Sequence, residues 1–60
     1  MNIQRPTQPS LVGRVRRFGP QGVLYEVVEI LDDRQARIRV LDTGEETSYS
    51  LDKILADPVD

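Results

Sequence analysis

Apolar and polar residues alternate in short bursts along most of this chain, and turn-forming residues separate the bursts. Leu11, Gly13 and Val15 alternate with Val12, Arg14 and Arg16, a period of two that predicts a strand. Phe18-Gly19-Pro20-Gln21-Gly22 breaks the pattern, because two glycines and a proline favour a turn. Residues 23–31, VLYEVVEIL, are rich in β-branched and aromatic side chains and predict a second strand. Asp32-Asp33-Arg34 reads as a hairpin loop, and Ala36-Arg37-Ile38-Arg39-Val40 alternates cleanly as a third strand. Asp42-Thr43-Gly44 predicts a turn whose glycine takes the left-handed conformation, and Thr47-Ser48-Tyr49-Ser50-Leu51 supplies a fourth strand. Ser50 is then placed to cap a helical turn. Leu51, Ile54 and Leu55 fall at i, i+3 and i+4 of that turn, and Pro58 stops it.

These elements predict a mostly β fold: a small antiparallel SH3-like or Tudor-like barrel of four to five short strands with a C-terminal helical turn. Closure of the sheet would remove its exposed edges. The second architecture compatible with the pattern is a three- or four-stranded open sheet with the C-terminal turn across one face. Residues 1–10 hold Pro6 and Pro9 and almost nothing to bury, so they read as a flexible N-terminal tail ahead of a single domain over 11–60.

Pairing the predicted strands through their turns sets an approximate register, and register decides which side chains share a face. Ala36, Ile38 and Val40 are expected inside, leaving Arg37 and Arg39 outside. A turn centred on Asp33 places Glu29 opposite Arg37 and Val27 opposite Arg39, with Tyr25 on that same outer face and Val28 and Ile30 inside. Glu26 then inherits an inward position, which calls for a β-bulge or a place at the rim where its carboxylate meets water. Val15 is expected inside, with Arg14 and Arg16 outside.

Composition narrows the chemistry. Sixty residues make one domain at most and bury a modest core. Cysteine and histidine are both absent, which removes disulfides, thiolate metal sites and the side chain best suited to proton transfer near neutral pH. No nucleophile–base pair can be named, so no catalytic residue, cofactor or metal is expected. No apolar run approaches the roughly 20 residues of a membrane span. The N-terminus also lacks a secretory signal's hydrophobic segment, so the expected location is cytoplasmic. Net charge is −2, but it is unevenly spread: residues 1–20 carry four arginines and no acid, whereas residues 21–60 carry four basic groups and ten acids.

The expected face gathers Arg14, Arg16, Arg37 and Arg39 around Tyr25, with the Phe18 loop beside it. Such a surface suits an unidentified protein partner or a second copy of the chain, with Leu41 and Val27 expected at a homodimer interface. The alternative is a nucleic-acid-binding accessory protein in which the arginines hold phosphates and Tyr25 stacks a base. The acidic overall balance places that second, since dedicated nucleic-acid modules are usually basic. The plainest reading of the arginines is sheet decoration, with Glu29 neutralising Arg37 and Glu46 close to Arg39. Phe18 reads as a core plug before it reads as a docking point. Were Tyr25 and Tyr49 to meet Phe18 at a barrel mouth, the three would form an aromatic cage, but Tyr49 has the parity of the core.

The runs Gly13-Arg14-Val15-Arg16-Arg17-Phe18-Gly19-Pro20 and Arg37-Ile38-Arg39-Val40-Leu41-Asp42-Thr43-Gly44-Glu45-Glu46-Thr47, with Ile54-Leu55-Ala56-Asp57-Pro58, resemble a family of short bacterial proteins of unknown function. The resemblance covers about residues 11–58. The hairpin spacing is also similar to SH3-like modules of the KOW and Tudor types, which implies a barrel whose relatives bind peptides, RNA or larger assemblies. The chain lacks the tryptophan of peptide-binding SH3 grooves, so the resemblance does not extend to a proline-rich ligand.

Overall fold

A computed structural model describes residues 11–59 as four strands and one short helix. They are β1 (Val15–Arg17), β2 (Leu24–Ile30), β3 (Gln35–Val40), β4 (Glu46–Ser50) and α1 (Leu51–Ala56). The tail expected over residues 1–10 lies outside the described residues. All pairings are antiparallel and keep chain order, β1-β2-β3-β4.

The sheet is open, which corrects the expected closed barrel. Strand β4 passes directly into α1 at Leu51 and so turns away before it can reach β1. The chain end meets β1 in its place. Val59 forms an antiparallel bridge with Arg16, and the Arg17 N–H donates to the Pro58 carbonyl at 3.1 Å.

Each hairpin is closed by the residues its turn requires. Asp32 Oδ1 accepts the N–H groups of Arg34 and Gln35 at 2.8 and 2.9 Å, which turns the chain between β2 and β3. Gly44, at φ +77°, lets the chain reverse between β3 and β4, and its N–H reaches the Val40 carbonyl at 2.7 Å. Between β1 and β2 the Phe18 N–H donates to the Val23 carbonyl at 3.1 Å. Gly22 folds so closely beneath Phe18 that a Cβ there would run into the Phe18 carbonyl oxygen.

The first strand is shorter than its alternation predicts. Residues 11–14 form a turn, with the Arg14 N–H bonded to the Leu11 carbonyl at 3.0 Å, before β1 begins at Val15. The expected bulge is present, and its position decides the faces. Val27 pairs with Ile38 whereas Glu29 pairs with Arg37, so Val28 is an extra residue in β2. Beyond it Glu29 points outward opposite Arg37, as expected. Before it the parity is reversed: Tyr25 and Val27 are buried, and Glu26 lies on the outer face opposite Arg39. The same reversal carries into β1, where Val15 pairs with Glu26 on the outer face and Arg16 pairs with Tyr25 on the core side.

The core consists of Tyr25, Val27, Ala36, Ile38 and Ile54, all fully buried, with Leu11, Phe18, Tyr49 and Leu51 packed partly against it. Burying each larger apolar side chain stabilises the fold by about 1.5–3 kcal/mol. Helix α1 covers the core face by inserting Ile54, while Leu55 on its other side is exposed. Ser50 occupies the cap position but its side chain makes no capping bond, which corrects the expected cap. The helix ends before Pro58 because a residue preceding proline is pushed out of the α region, and Asp57 is accordingly extended at φ −74°, ψ 148°.

Candidate functional site

The two faces of the sheet divide the residues singled out from the sequence. On the core side, the extended backbone at Asp57 sends its carboxylate back towards the β1–β2 turn. Its Oδ2 accepts hydrogen bonds from the hydroxyls of Tyr25 at 2.7 Å and Tyr49 at 3.1 Å, and its Oδ1 accepts the Gly19 N–H at 3.2 Å. Arg16 Nη1 donates to the carbonyls of Ile54 and Asp57 at 3.0 and 3.1 Å, giving the Asp57 carbonyl a donor and the Ile54 carbonyl a second one beside the Asp57 N–H. Its Nε is buried without a partner among the described residues.

Phe18 completes this knot. Its ring centroid lies 4.4 Å from that of Tyr25 and 5.3 Å from that of Tyr49, and the two tyrosines are 5.5 Å apart in an edge-to-face arrangement. These are ordinary separations for packed aromatic pairs. The three aromatics therefore do converge, but Tyr25 is fully buried and Phe18 half-buried, so the cluster is a packed plug with no open cage.

The electrostatics arise from burial and from the shared hydrogen bonds. Burial raises the pKa of the Tyr25 hydroxyl, and its bond to Asp57 and that carboxylate's charge raise it further. Tyr49 is raised by the same causes in the same order. For Asp57, burial works towards a higher pKa. The bonds from Tyr25, Gly19 and Tyr49, together with the charge of Arg16, outweigh it and hold the carboxyl below its usual 3.8.

The outer face is different. A row across all four strands reads Val15, Glu26, Arg39, Glu46, and the next runs Arg17, Leu24 and, past the end of β3, Leu41. Arg39 Nη2 meets Glu26 Oε1 at 2.7 Å, and Arg37 Nη2 meets Glu29 Oε1 at 2.7 Å. The Glu29–Arg37 pairing expected from the sequence is thus present, while Arg39 takes Glu26 as its partner. Leu41 is exposed beside half-buried Leu24.

The expected single patch is therefore divided. Arg37 and Arg39 share the outer face. Arg16, Tyr25 and Phe18 belong to the core-side knot, and Arg14 is exposed in the turn before β1. Val27 is buried, which removes it from the expected dimer interface, while Leu41 remains exposed. Asp57 is not among the residues that the sequence pattern singles out. Its one signal is the Asp-Pro step after an apolar helical turn, which fixes an extended backbone at that residue but does not name the donors it meets.

The chain belongs to a family of unknown function (DUF5397), which it matches over residues 3–60. No curated protein matches it.

Proposed function

We propose that this member of a family of unknown function is a noncatalytic module that binds a protein partner through the outer face of its sheet. The observation that carries the proposal is the state of that face. Exposed Leu41, with Leu24 and Val15 half-buried on the same face, shares that face with Arg37 and Arg39, whose charges are already met by Glu29 and Glu26. Apolar groups framed by neutralised ion pairs suit a protein surface, since little unpaired charge has to be stripped of water on docking. A phosphate backbone would have to displace two carboxylates to reach Arg37 and Arg39, which ranks nucleic acid second. The tyrosine hydroxyls, the groups nearest to chemistry, are bound to Asp57, which supports a binding role over a catalytic one.

An SH3-like architecture is part of the same proposal. It is supported by the return of the chain end to β1, where Val59 bridges Arg16 after α1. The bacterial, cytoplasmic setting expected from the sequence goes with it. No described helix is long and apolar enough to cross a membrane.

The test places a photo-crosslinking amino acid at Leu41 in the full chain, expressed in its native host. A discrete protein adduct that is absent from a probe at Asp33, and lost when Leu24→Arg is added, supports the proposal. Salt-sensitive binding of nucleic acid that disappears in Arg37→Ala/Arg39→Ala, with no protein adduct, overturns it.

A further inference from the structure

Both edges of the sheet would be free were it not for the chain end, which covers only one of them. β1 is bridged by Val59 and bonded by Pro58, whereas β4 closes the strand order with no neighbour beyond it among the described residues. The pattern of bonds to β3 shows which groups β4 leaves open. The Val40 N–H donates to the Glu45 carbonyl at 2.8 Å and the Leu51 N–H to the Arg34 carbonyl at 2.8 Å. Odd-numbered residues therefore bond inward to β3, and Glu46, Ser48 and Ser50 direct their N–H and C=O groups to the open side, where the Ser48 carbonyl accepts a long bond of 3.5 Å from the Thr47 hydroxyl that a partner strand would replace. Apart from the charge of Glu46 at its start, this strand has little of the usual protection: it has no lysine, no proline and no bulge.

We propose that β4 pairs antiparallel with β4 of a second copy of this chain, about a two-fold axis at Ser48. Register singles out this axis. Centred on Ser48, the outward-directed groups of Glu46, Ser48 and Ser50 all find partners: Glu46 faces Ser50 of the second copy, and Ser48 faces Ser48. Moving the axis to Glu46 sets two glutamates face to face, and moving it to Tyr49 sets Glu46 against Asp52. On the core side the Ser48-centred register brings Thr47 opposite Tyr49 of the second copy, an aromatic and β-branched pair of the kind that stabilises sheets. On the outer side the two Ser48 hydroxyls meet. Ser50 is free to join them, because its side chain makes no helix-capping bond. The interface is isologous and closes on itself, so it yields a dimer and no fibre. The product is one eight-stranded sheet whose outer face is twice that of one copy. This pairing uses the edge of β4 and does not depend on the outer face binding any partner.

The experiment uses the full chain and sedimentation equilibrium over a range of concentrations, with Ser48→Lys, Ser48→Asp and an equimolar mixture of the two. The wild type is expected to dimerise. Each variant alone sets like charges across the axis, which weakens association at least about tenfold. The mixture is expected to recover the dimer as a Lys–Asp heterodimer. A wild type that stays monomeric at the concentrations used for NMR overturns the proposal. So does a dimer that both Ser48 variants leave intact but Leu41→Arg dissolves. Ser48 is exposed on an edge, so the variants keep the monomer fold, and matching amide spectra of the monomers confirm it.

Discussion

Asp57 accepts hydrogen bonds from three groups that lie far apart in the sequence, so its removal leaves two tyrosine hydroxyls without their acceptor. Bonds to a charged acceptor contribute about 1.5–3 kcal/mol, and stranding a buried donor costs a similar amount. Asp57→Ala is expected to lose about 3 kcal/mol in urea denaturation. Tyr25→Phe, which leaves Tyr49 and Gly19 to satisfy the carboxylate, is expected to lose about 1 kcal/mol. The same site sets the pH limits of the fold. Asp57 has a lowered pKa in the folded chain, so its contribution is present above 3.8 and is lost as pH falls through the folded value. The tyrosines run the other way: their pKa values are raised, so their contribution holds below 10.0 and is lost as pH rises through the folded values. Melting temperature plotted against pH should fall at both ends. In Asp57→Asn the acid-side fall is expected to shrink, because the titrating group is gone.

Among the elements, β3 and the turns beside it are the parts most legible in the sequence. Ala36, Ile38 and Arg37 alternate without interruption, and Asp32 and Gly44 are the residues their turns physically need. β2 is legible as a strand but only half legible as a face. The bulge at Val28 shifts the register by one residue, and a one-residue shift moves every side chain before it to the opposite side. The discomfort of an inward Glu26 signals that bulge, yet nothing local in VLYEVVEIL says where the extra residue sits. β1 is legible only in part, because an arginine facing the core makes sense only once the carbonyls of Ile54 in α1 and of Asp57 just beyond it are there to receive it. The ion pairs of the outer face are at the same scale. Their side chains are substantially exposed, at 42% and 55% for Arg37–Glu29 and 43% and 29% for Arg39–Glu26, so each is screened by water. A double-mutant cycle on Arg39→Ala and Glu26→Ala is expected to return a coupling below about 1 kcal/mol that fades with added salt. A coupling that small leaves the two side chains free to rearrange, which the docking role proposed for this face would need.

At the scale of the whole molecule, the fold depends on a return of the chain that no single element contains. A 60-residue domain has a core worth only about 3–5 kcal/mol after its entropic costs, so a segment that joins distant parts carries a large share of the total. Residues 57–59 are such a segment. They supply the Asp57 carboxylate, the Pro58 carbonyl bonded to Arg17 and the Val59 bridge to Arg16, and thereby tie α1 to β1. The helix is six residues long, far below the length at which a helix is stable alone, so it stays folded only while Ile54 is held against the sheet. Truncation after Ala56 should therefore release α1 and β1 together. With Ile54 gone from the core, Tyr25, Val27 and Ile38 lose their cover, and no smaller core remains to hold β2–β4. The expected outcome is loss of hydrogen-exchange protection in all four strands at once. Protection that survives in β2 and β3 while β1 alone exchanges would show instead that the chain end is a local strap on an independently stable hairpin. The all-or-none result is a consequence of size: in a domain this small, the knot at Asp57 and the core beneath α1 share the same few residues and stand or fall together.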